Sequence, residues 1–142
     1  MTSLESALHR IAADLARSHV DFALVGGLAV SVRTEPRFTR DADLAVAVTS
    51  DAETEALIRR LRTEGYEVAA LVEQEAVGRL ATARLTVAGD VEGPVTDLLF
   101  ASSGIERDLV ASAEPIELLP GLTMKVARIE HLVALKVLSP WP

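Results

Sequence analysis

The sequence predicts an α/β (α+β) fold in which helices flank a mixed β-sheet. Apolar residues make up 49% of the 142-residue chain and aromatic residues only 4%, which indicates a core of aliphatic side chains. Helical stripes of apolar residues alternate along the chain with short apolar runs of strand length. No repeat, linker or low-complexity tract divides the sequence, so we predict one domain over residues 1–142.

The first predicted elements are an amphipathic helix and a buried strand. Apolar residues recur at intervals of three or four near the N-terminus, at Leu4, Leu8, Ile11 and Leu15. This spacing places them on one helix face, and Thr2 with Glu5 has the pattern of a capping box at its start. The apolar run Phe22–Val25 ends at two glycines, which favours a buried strand that stops at a turn.

A short helix, a loop and a second strand follow these glycines. Residues 28–32 favour a short helix that opens directly after the glycine pair. Residues 35–40 are polar, and Pro36 prevents continuation of the helix into them. The apolar run at residues 43–48 predicts a second buried strand.

The second half of the chain alternates between helices and strands. Ser50 and Glu53 form a capping box for a helix that runs to about Arg62, and Gly65 ends it. Three further strands are predicted at residues 66–72, 79–87 and 95–100. A weak helix, two short extended pieces and a final helix complete the order, at residues 105–113, 116–119, 122–126 and 128–138.

Composition restricts the kind of metal site that the chain can form. The sequence has no cysteine, so disulfides and thiolate metal sites are excluded. The three histidines, His9, His19 and His131, do not have a zinc-binding spacing. Oxygen ligands remain, and they favour Mg²⁺ or Mn²⁺.

Charge and hydropathy predict a soluble, cytoplasmic protein that binds neither membranes nor duplex DNA. The net charge of −7 opposes binding along a nucleic acid backbone, which depends on lysine and arginine. Charged residues at helical spacing near the N-terminus differ from the pattern of a signal peptide. The longest apolar run, residues 22–32, contains two glycines and a serine and is too short to span a bilayer.

Three aspartates are the strongest candidates for chemistry. Asp41 and Asp43 stand two residues apart at the head of a predicted strand, so both carboxylates point to one face, about 6.5–7 Å apart. Such a pair can flank divalent ions, which lie roughly 3.5–4 Å apart in phosphoryl-transfer sites. Asp97 interrupts another apolar strand, where an ionised carboxylate is costly unless it is paired or metal-bound. The alternative for Asp97 is a solvent-facing position on an edge strand.

A second group of residues suits phosphate binding. Gly26 and Gly27 lie where a strand ends and a helix begins, so backbone amides can approach an anion closely. Ser31 offers a hydroxyl for the same purpose, with a structural role in the helix as the alternative. Arg37 and Arg40 precede the acidic pair and are either phosphate contacts or solvated loop charges.

The glycine and aspartate motifs together resemble a known signature. Gly26-Gly27, thirteen intervening residues and the run Asp41-Ala42-Asp43 resemble the signature of polymerase-β-type nucleotidyltransferases. The longer stretch FALVGGLAVSVRTEPRFTRDADLAV is similar to the bacterial AbiEii/AbiGii-type nucleotidyltransferase toxin group. The run VTDLLF resembles the strand that carries the third carboxylate of the superfamily, and HLVALKVLS resembles the following helix, with its lysine at Lys136.

This resemblance implies a minimal nucleotidyltransferase fold and a metal-dependent reaction. A nucleoside monophosphate would pass from an NTP to an acceptor, with Mg²⁺ or Mn²⁺ held by Asp41, Asp43 and Asp97. Asp97 is also the expected acceptor of the proton from the attacking hydroxyl. The expected nucleotide-binding residues are Gly26, Gly27, Ser31, Arg40 and Lys136. The implied partners are an RNA acceptor, such as the 3′ end of tRNA, and a cognate antitoxin.

Several alternatives stay open at the level of sequence. Lys136 lies in an apolar helix sector, so its ammonium group either reaches water along the surface or points into the cleft. The acceptor is alternatively a small molecule or a protein. Chains of the toxin group usually continue past the lysine helix, whereas this sequence ends at Pro142, so we expect it to lack a C-terminal helical extension. A non-catalytic, nucleotide-binding remnant of the fold is the further alternative.

Overall fold

A mixed seven-stranded β-sheet and five helices make up the described part of the chain, which confirms the predicted α/β fold. The structure is a computed structural model and describes residues 3–33, 41–74, 79–90, 93–101 and 104–138. None of the helices in these ranges has the length and apolar character needed to cross a membrane. In chain order the elements are α1 (Ser3–Arg17), β1 (Phe22–Val25), α2 (Gly26–Arg33), β2 (Ala42–Ala47), α3 (Asp51–Thr63), β3 (Tyr66–Gln74), β4 (Arg79–Val87), β5 (Thr96–Ala101), α4 (Gly104–Ser112), β6 (Glu114–Leu119), β7 (Leu122–Val126) and α5 (Ile129–Leu138).

Each predicted element is present, and the differences lie at the boundaries. α2 begins at Gly26 rather than at residue 28, and Gly26, with a φ of +71°, forms the turn out of β1. The two extended pieces near the C-terminus are separate strands, β6 and β7, which pair as an antiparallel hairpin. Gly121, with a φ of +85°, supplies the left-handed residue of the turn between them. Thr2 and Arg37 lie outside the described residues.

The strand order β3-β4-β5-β2-β1-β7-β6 places the two aspartate-bearing strands in the middle of the sheet. β2 is antiparallel to β1 and parallel to β5, although a helix and two strands separate β2 from β5 along the chain. β1 also pairs in parallel with β7. The centre of the sheet is therefore assembled from distant parts of the sequence.

An aliphatic core holds the helices against the sheet. The predicted stripe of α1 is buried at Leu8, Ile11 and Leu15, and Leu4 packs at its margin. The central strands contribute a row of fully buried leucines at Leu24, Leu44 and Leu98. Burial of one such side chain contributes about 1.5–3 kcal/mol. Because strand residues alternate between the faces, the residues beside this row point to the other face of the sheet.

Capping residues determine where α3 begins and ends. Ser50 accepts a hydrogen bond from the backbone N–H of Glu53 at 3.2 Å, as the predicted capping box requires. The carboxylate of Glu53 accepts a hydrogen bond from the Thr49 hydroxyl at 2.5 Å. Gly65 follows the helix with a φ of +101°, a conformation that favours glycine.

A buried polar network joins α1 to β3. Asp14 is 3% exposed and accepts a hydrogen bond from the Tyr66 hydroxyl at 2.8 Å. It also forms an ion pair with Arg17. Arg10 lies 4.8 Å from the ring centroid of Tyr66 and donates to the carbonyl of Glu64 at 2.7 Å. These contacts compensate the buried charge of Asp14 and fix α1 against the turn that leads into β3.

Candidate active site

The register of the central strands brings Asp43 and Asp97 side by side. β2 and β5 run parallel, and Asp43 is the direct partner of Asp97 in this pairing. Directly paired residues place their side chains on the same face of a sheet. β5 lies between β4 and β2, so Asp97 occupies an interior strand rather than an edge strand. The two carboxylates therefore belong to one site.

Asp41 stands at the entrance of the same site. It directly precedes β2, and its Oδ1 atom accepts a hydrogen bond from the N–H of Val95 at 3.2 Å. The N–H of Ala42 donates to the Val95 carbonyl at 3.1 Å. These two bonds tie the start of β2 to the segment that leads into β5. They fix the position of Asp41 and the start of β2 relative to β5, the strand that carries Asp97.

The three carboxylates influence one another electrostatically. The pKa of Asp43 is raised from 3.8 to about 6, first by burial and then by the negative charge of Asp97 and a hydrogen bond with its side chain. The charge of Asp41 adds a smaller repulsion, and Arg84 opposes the rise. Crowded carboxylates in a half-buried site repel one another. A cation bound among them would relieve this repulsion.

The first glycine of the pair is required by its contact with Asp43. Gly26 has a φ of +71°, and a Cβ atom built on it would overlap the Asp43 carboxylate. Any other residue at this position meets both a strained backbone and a collision with Asp43. The turn from β1 into α2 and the position of Asp43 therefore depend on each other.

The second glycine leaves open space beside the acidic site. A Cβ atom built on Gly27 meets no atom of the described structure within 4 Å. Packing among the residues that the structure describes therefore gives no steric reason for glycine at this position. Gly27 is exposed at the start of α2, and backbone amides at helix N-termini attract phosphate groups.

Ser31 makes its hydrogen bond within its own helix. The residue is 4% exposed, and its hydroxyl donates to the carbonyl of Gly27 at 3.0 Å. This bond to the backbone one turn earlier is a common helical arrangement of serine. The structure thus gives Ser31 a structural contact, and its role in nucleotide binding stays a prediction.

Two of the expected nucleotide-binding side chains are not described. Arg40 lies outside the described residues. Lys136 belongs to α5, which packs against α2, but its side chain lies outside the described part. Arg33 joins these two elements, because its Nε donates to the Ala127 carbonyl at 2.6 Å just before α5. The C-terminal helix is therefore anchored to the helix that begins with the two glycines.

Arg84 is a member of the site that the sequence motifs do not include. It is the direct partner of Asp97 across β4 and β5. Its Nε donates to Oδ1 of Asp97 at 2.9 Å, and its Nη2 donates to Oδ2 at 3.1 Å. The only sequence signal is a basic residue within an alternating strand. The register between β4 and β5, which makes this residue part of the site, is not encoded in local sequence.

The donor chemistry of the site fits a hard divalent cation, but the three carboxylates do not yet form a cage. Carboxylate oxygens are the ligands that Mg²⁺ and Mn²⁺ prefer. Across the described ranges, no three acidic or histidine side chains are arranged so that they could hold a metal ion. Asp97 is instead engaged by Arg84 through both of its oxygens.

A comparison with protein-family models identifies a match over most of the chain. The model described as "Nucleotidyl transferase AbiEii toxin, Type IV TA system" matches residues 10–139. This range includes both glycines, all three aspartates and Lys136. A comparison with curated proteins found no match.

Solved nucleotidyltransferase structures share the fold. The lincosamide antibiotic adenylyltransferase LnuA, with lincomycin bound, is 16% identical with a TM-score of 0.62, over 97% of this chain and 87% of LnuA. ANT(2'')-Ia in complex with adenylyl-2''-tobramycin is 18% identical with a TM-score of 0.59, over 99% and 82% of the two chains. An antigenic nucleotidyltransferase-like protein from Paracoccidioides brasiliensis is 21% identical with a TM-score of 0.58, over 95% and 65%. At these identities the likeness establishes the fold alone.

Proposed function

The chain belongs to the AbiEii nucleotidyl transferase family, and we propose that it transfers a nucleoside monophosphate from an NTP to an acceptor in a metal-dependent reaction. One observation supports this proposal above all others. Gly26, which directly follows β1, lies against Asp43 of β2, and Asp43 lies directly opposite Asp97 of β5. An open helix start and a group of carboxylates thus adjoin each other.

We assign a distinct task to each of these residues and to their neighbours Gly27 and Asp41. The amides at the start of α2 bind the phosphates of the NTP, with the open face at Gly27 admitting them. Asp41 and Asp43 hold Mg²⁺ or Mn²⁺, and Asp97 completes the metal site. An ion held by these carboxylates would supply positive charge to offset that of the transferred phosphate and of the leaving pyrophosphate. The assignment of Arg40 and Lys136 to nucleotide binding is part of the same proposal.

The transfer requires one proton acceptor, and we propose Asp97 for that task. The acceptor hydroxyl oxygen forms a bond to the α-phosphorus, and the bond between that phosphorus and pyrophosphate breaks. The hydroxyl proton passes to a carboxylate oxygen of Asp97, which requires an ionised carboxylate at the moment of attack.

For the acceptor we propose RNA, such as the 3′ end of tRNA. The support is the family description as a toxin of a toxin–antitoxin system, together with the resemblance of the motif region. A cognate antitoxin is the partner that this role implies. The competing acceptors are proteins and small molecules, and ANT(2'')-Ia in its complex with adenylyl-2''-tobramycin is an example of the latter. A catalytically inactive remnant is the remaining alternative.

Labelling with each of the four α-³²P NTPs tests these possibilities together. The purified chain is incubated with Mg²⁺ or Mn²⁺ and, in separate reactions, with total RNA, cell-extract protein or an antibiotic panel. We expect label on RNA for the wild type and none for Asp43→Asn. Asp108→Asn, which changes an exposed acid of α4, is the matched control and should label at the wild-type rate. Label on protein or antibiotic alone would replace RNA as the acceptor, and no metal-dependent label anywhere contradicts the proposed reaction.

The toxin role has a separate test in cells. Induced expression of the wild type should slow growth, whereas Asp43→Asn, expressed to the same level, should not. Asp108→Asn should slow growth as the wild type does. Growth unaffected by the wild type, in a strain where labelled RNA is nevertheless detected, would remove the toxin role and leave the enzymatic proposal intact.

A further inference from the structure

We propose that Arg84 is an internal counter-ion for Asp97 that a divalent cation has to displace, so that Arg84 sets the metal affinity of the active site. This inference rests on the metal-dependent transfer proposed above. It assigns a task to a residue that lies outside the glycine and aspartate motifs. Three observations carry it, namely the strand register, the two-point contact and the difference in exposure between the partners.

The sheet places Asp97 between a cation and an anion. On one side, β4 pairs with β5 and puts Arg84 directly opposite Asp97. On the other side, β2 puts Asp43 directly opposite Asp97. Neighbouring strands are about 4.8 Å apart, so the three charged groups form a short row across the sheet. A cation that binds between Asp43 and Asp97 therefore enters beside the positive charge of Arg84 and is repelled by it.

The contact with Arg84 already uses both oxygens of Asp97. The two N–H···O distances, from Nε to Oδ1 and from Nη2 to Oδ2, are 2.9 and 3.1 Å. Such two-point, charge-assisted pairs are among the stronger hydrogen bonds of proteins. An ion that takes an oxygen of Asp97 has to weaken one of them.

Arg84 can give up the carboxylate without movement of the backbone. Its side chain is 53% exposed, whereas the side chain of Asp97 is 16% exposed. Exposed arginines change rotamer freely, while a short side chain on an interior strand keeps its place. Exchange of partners therefore moves the guanidinium towards solvent and leaves the carboxylate where the ion needs it.

A structural role for Arg84 makes the opposite prediction about metal binding. If the guanidinium only orients Asp97 as a ligand, its removal should weaken metal binding, as loss of supporting hydrogen bonds does at other metal sites. If it competes with the ion, its removal should strengthen metal binding. The sign of the change in metal affinity therefore separates the two roles without any measurement of activity.

Mn²⁺ affinity, measured by titration calorimetry in the absence of nucleotide, is the test. We expect Arg84→Gln to bind Mn²⁺ about tenfold more tightly than the wild type. Arg84→Lys keeps a positive charge without the two-point contact and should lie between them. Arg128→Gln removes an exposed arginine that is paired with Glu130 and should match the wild type. Equal or weaker binding by folded Arg84→Gln overturns the proposal.

Failure of this inference is distinguishable from failure of the proposed function. If neither the wild type nor any variant binds Mn²⁺ at millimolar concentration, the proposed metal-dependent reaction is wrong, and so is the proposed role of Arg84. If the wild type binds Mn²⁺ and Arg84→Gln binds it no more tightly, only the role of Arg84 is lost.

The wild type supplies a second measurement in case Arg84→Gln does not fold. The ¹⁵N resonance of the Arg84 Nε group, identified by its absence in Arg84→Lys, should shift when Mg²⁺ is added. The Arg128 resonance, identified in the same way, should stay in place. An Arg84 resonance that does not move at saturating Mg²⁺ overturns the proposal.

Discussion

At the scale of single residues, the two adjacent glycines have different physical reasons to be glycine. Gly26 combines a φ of +71° with direct packing on Asp43, so its reason lies inside the fold. Gly27 meets no described atom within 4 Å of an added Cβ, so packing among the described residues gives no reason for glycine there. A ligand that approaches the backbone closely is such a reason.

Alanine at each glycine therefore separates folding from binding. Gly26→Ala should lower the free energy of unfolding by about 1–3 kcal/mol, because it adds strain and displaces Asp43. Gly27→Ala should leave stability equal or raise it by up to about 1 kcal/mol, since alanine favours helix. It should nevertheless raise the KM for NTP at least several-fold in the labelling assay. Urea melts give the stabilities, and an unchanged KM for Gly27→Ala would contradict phosphate binding at this turn.

The raised pKa of Asp43 predicts a pH-dependent stability difference between the wild type and Asp43→Asn. Because the folded state binds the proton more tightly than the unfolded chain, the wild type loses stability as pH rises from about 4 through about 6. In EDTA, Asp43→Asn should match the wild type near pH 4 and be more stable by about 1 kcal/mol at pH 7, since partial exposure screens the repulsion. Melts between pH 4 and pH 8 measure this difference. Parallel curves for the two proteins would contradict the raised pKa that burial and the neighbouring carboxylates give Asp43.

At the scale of elements, the attachment of α1 depends on one buried carboxylate. Asp14→Ala removes the acceptor of the Tyr66 hydroxyl and the ion-pair partner that Arg17 has within α1, and it should cost about 2–4 kcal/mol. Tyr66→Phe removes one hydrogen bond and should cost about 1 kcal/mol. Asp21→Ala changes an exposed acid and is the control. Urea denaturation measures the three, and a cost below that of Asp21→Ala for Asp14→Ala would show that the network does not stabilise the fold.

Local signals in the sequence predicted the elements, whereas long-range pairing decided which side chains meet in the site. Helical spacing of Leu8, Ile11 and Leu15 and the cap at Ser50 depend on neighbours a few residues away, and the structure agrees with both. The partners of Asp97 depend on register between strands that are far apart in the chain. Residue types within β4 do not reveal that register, so Arg84 could not be placed in the site beforehand.

At the scale of the whole molecule, the site exists only when the sheet is complete. β5 pairs with β2 although α3, β3 and β4 lie between them in the sequence. β1 pairs with both β2 and β7. Such non-local pairing makes sheet assembly cooperative and slow relative to helix formation. Asp43, Asp97 and Gly26 come from three different strands or their ends, so partial unfolding of the central strands removes the site as a unit.

Ligand binding should therefore stabilise the entire fold rather than one segment of it. A Mg²⁺-bound, non-hydrolysable NTP analogue at about one hundred times its Kd should add about 2.7 kcal/mol to the free energy of unfolding. For a chain of this length that corresponds to a Tm increase of roughly 5–15 °C. EDTA should reverse the increase, and Asp43→Asn should not show it, whereas Asp108→Asn should. Differential scanning calorimetry gives the Tm, and hydrogen exchange should show added protection in β1, β2 and β5 together. Protection confined to α2, or a Tm increase that persists in EDTA, would mean that the nucleotide binds without the metal and the aspartates. Either result would contradict the assignment of Asp41 and Asp43 as ligands of the metal ion.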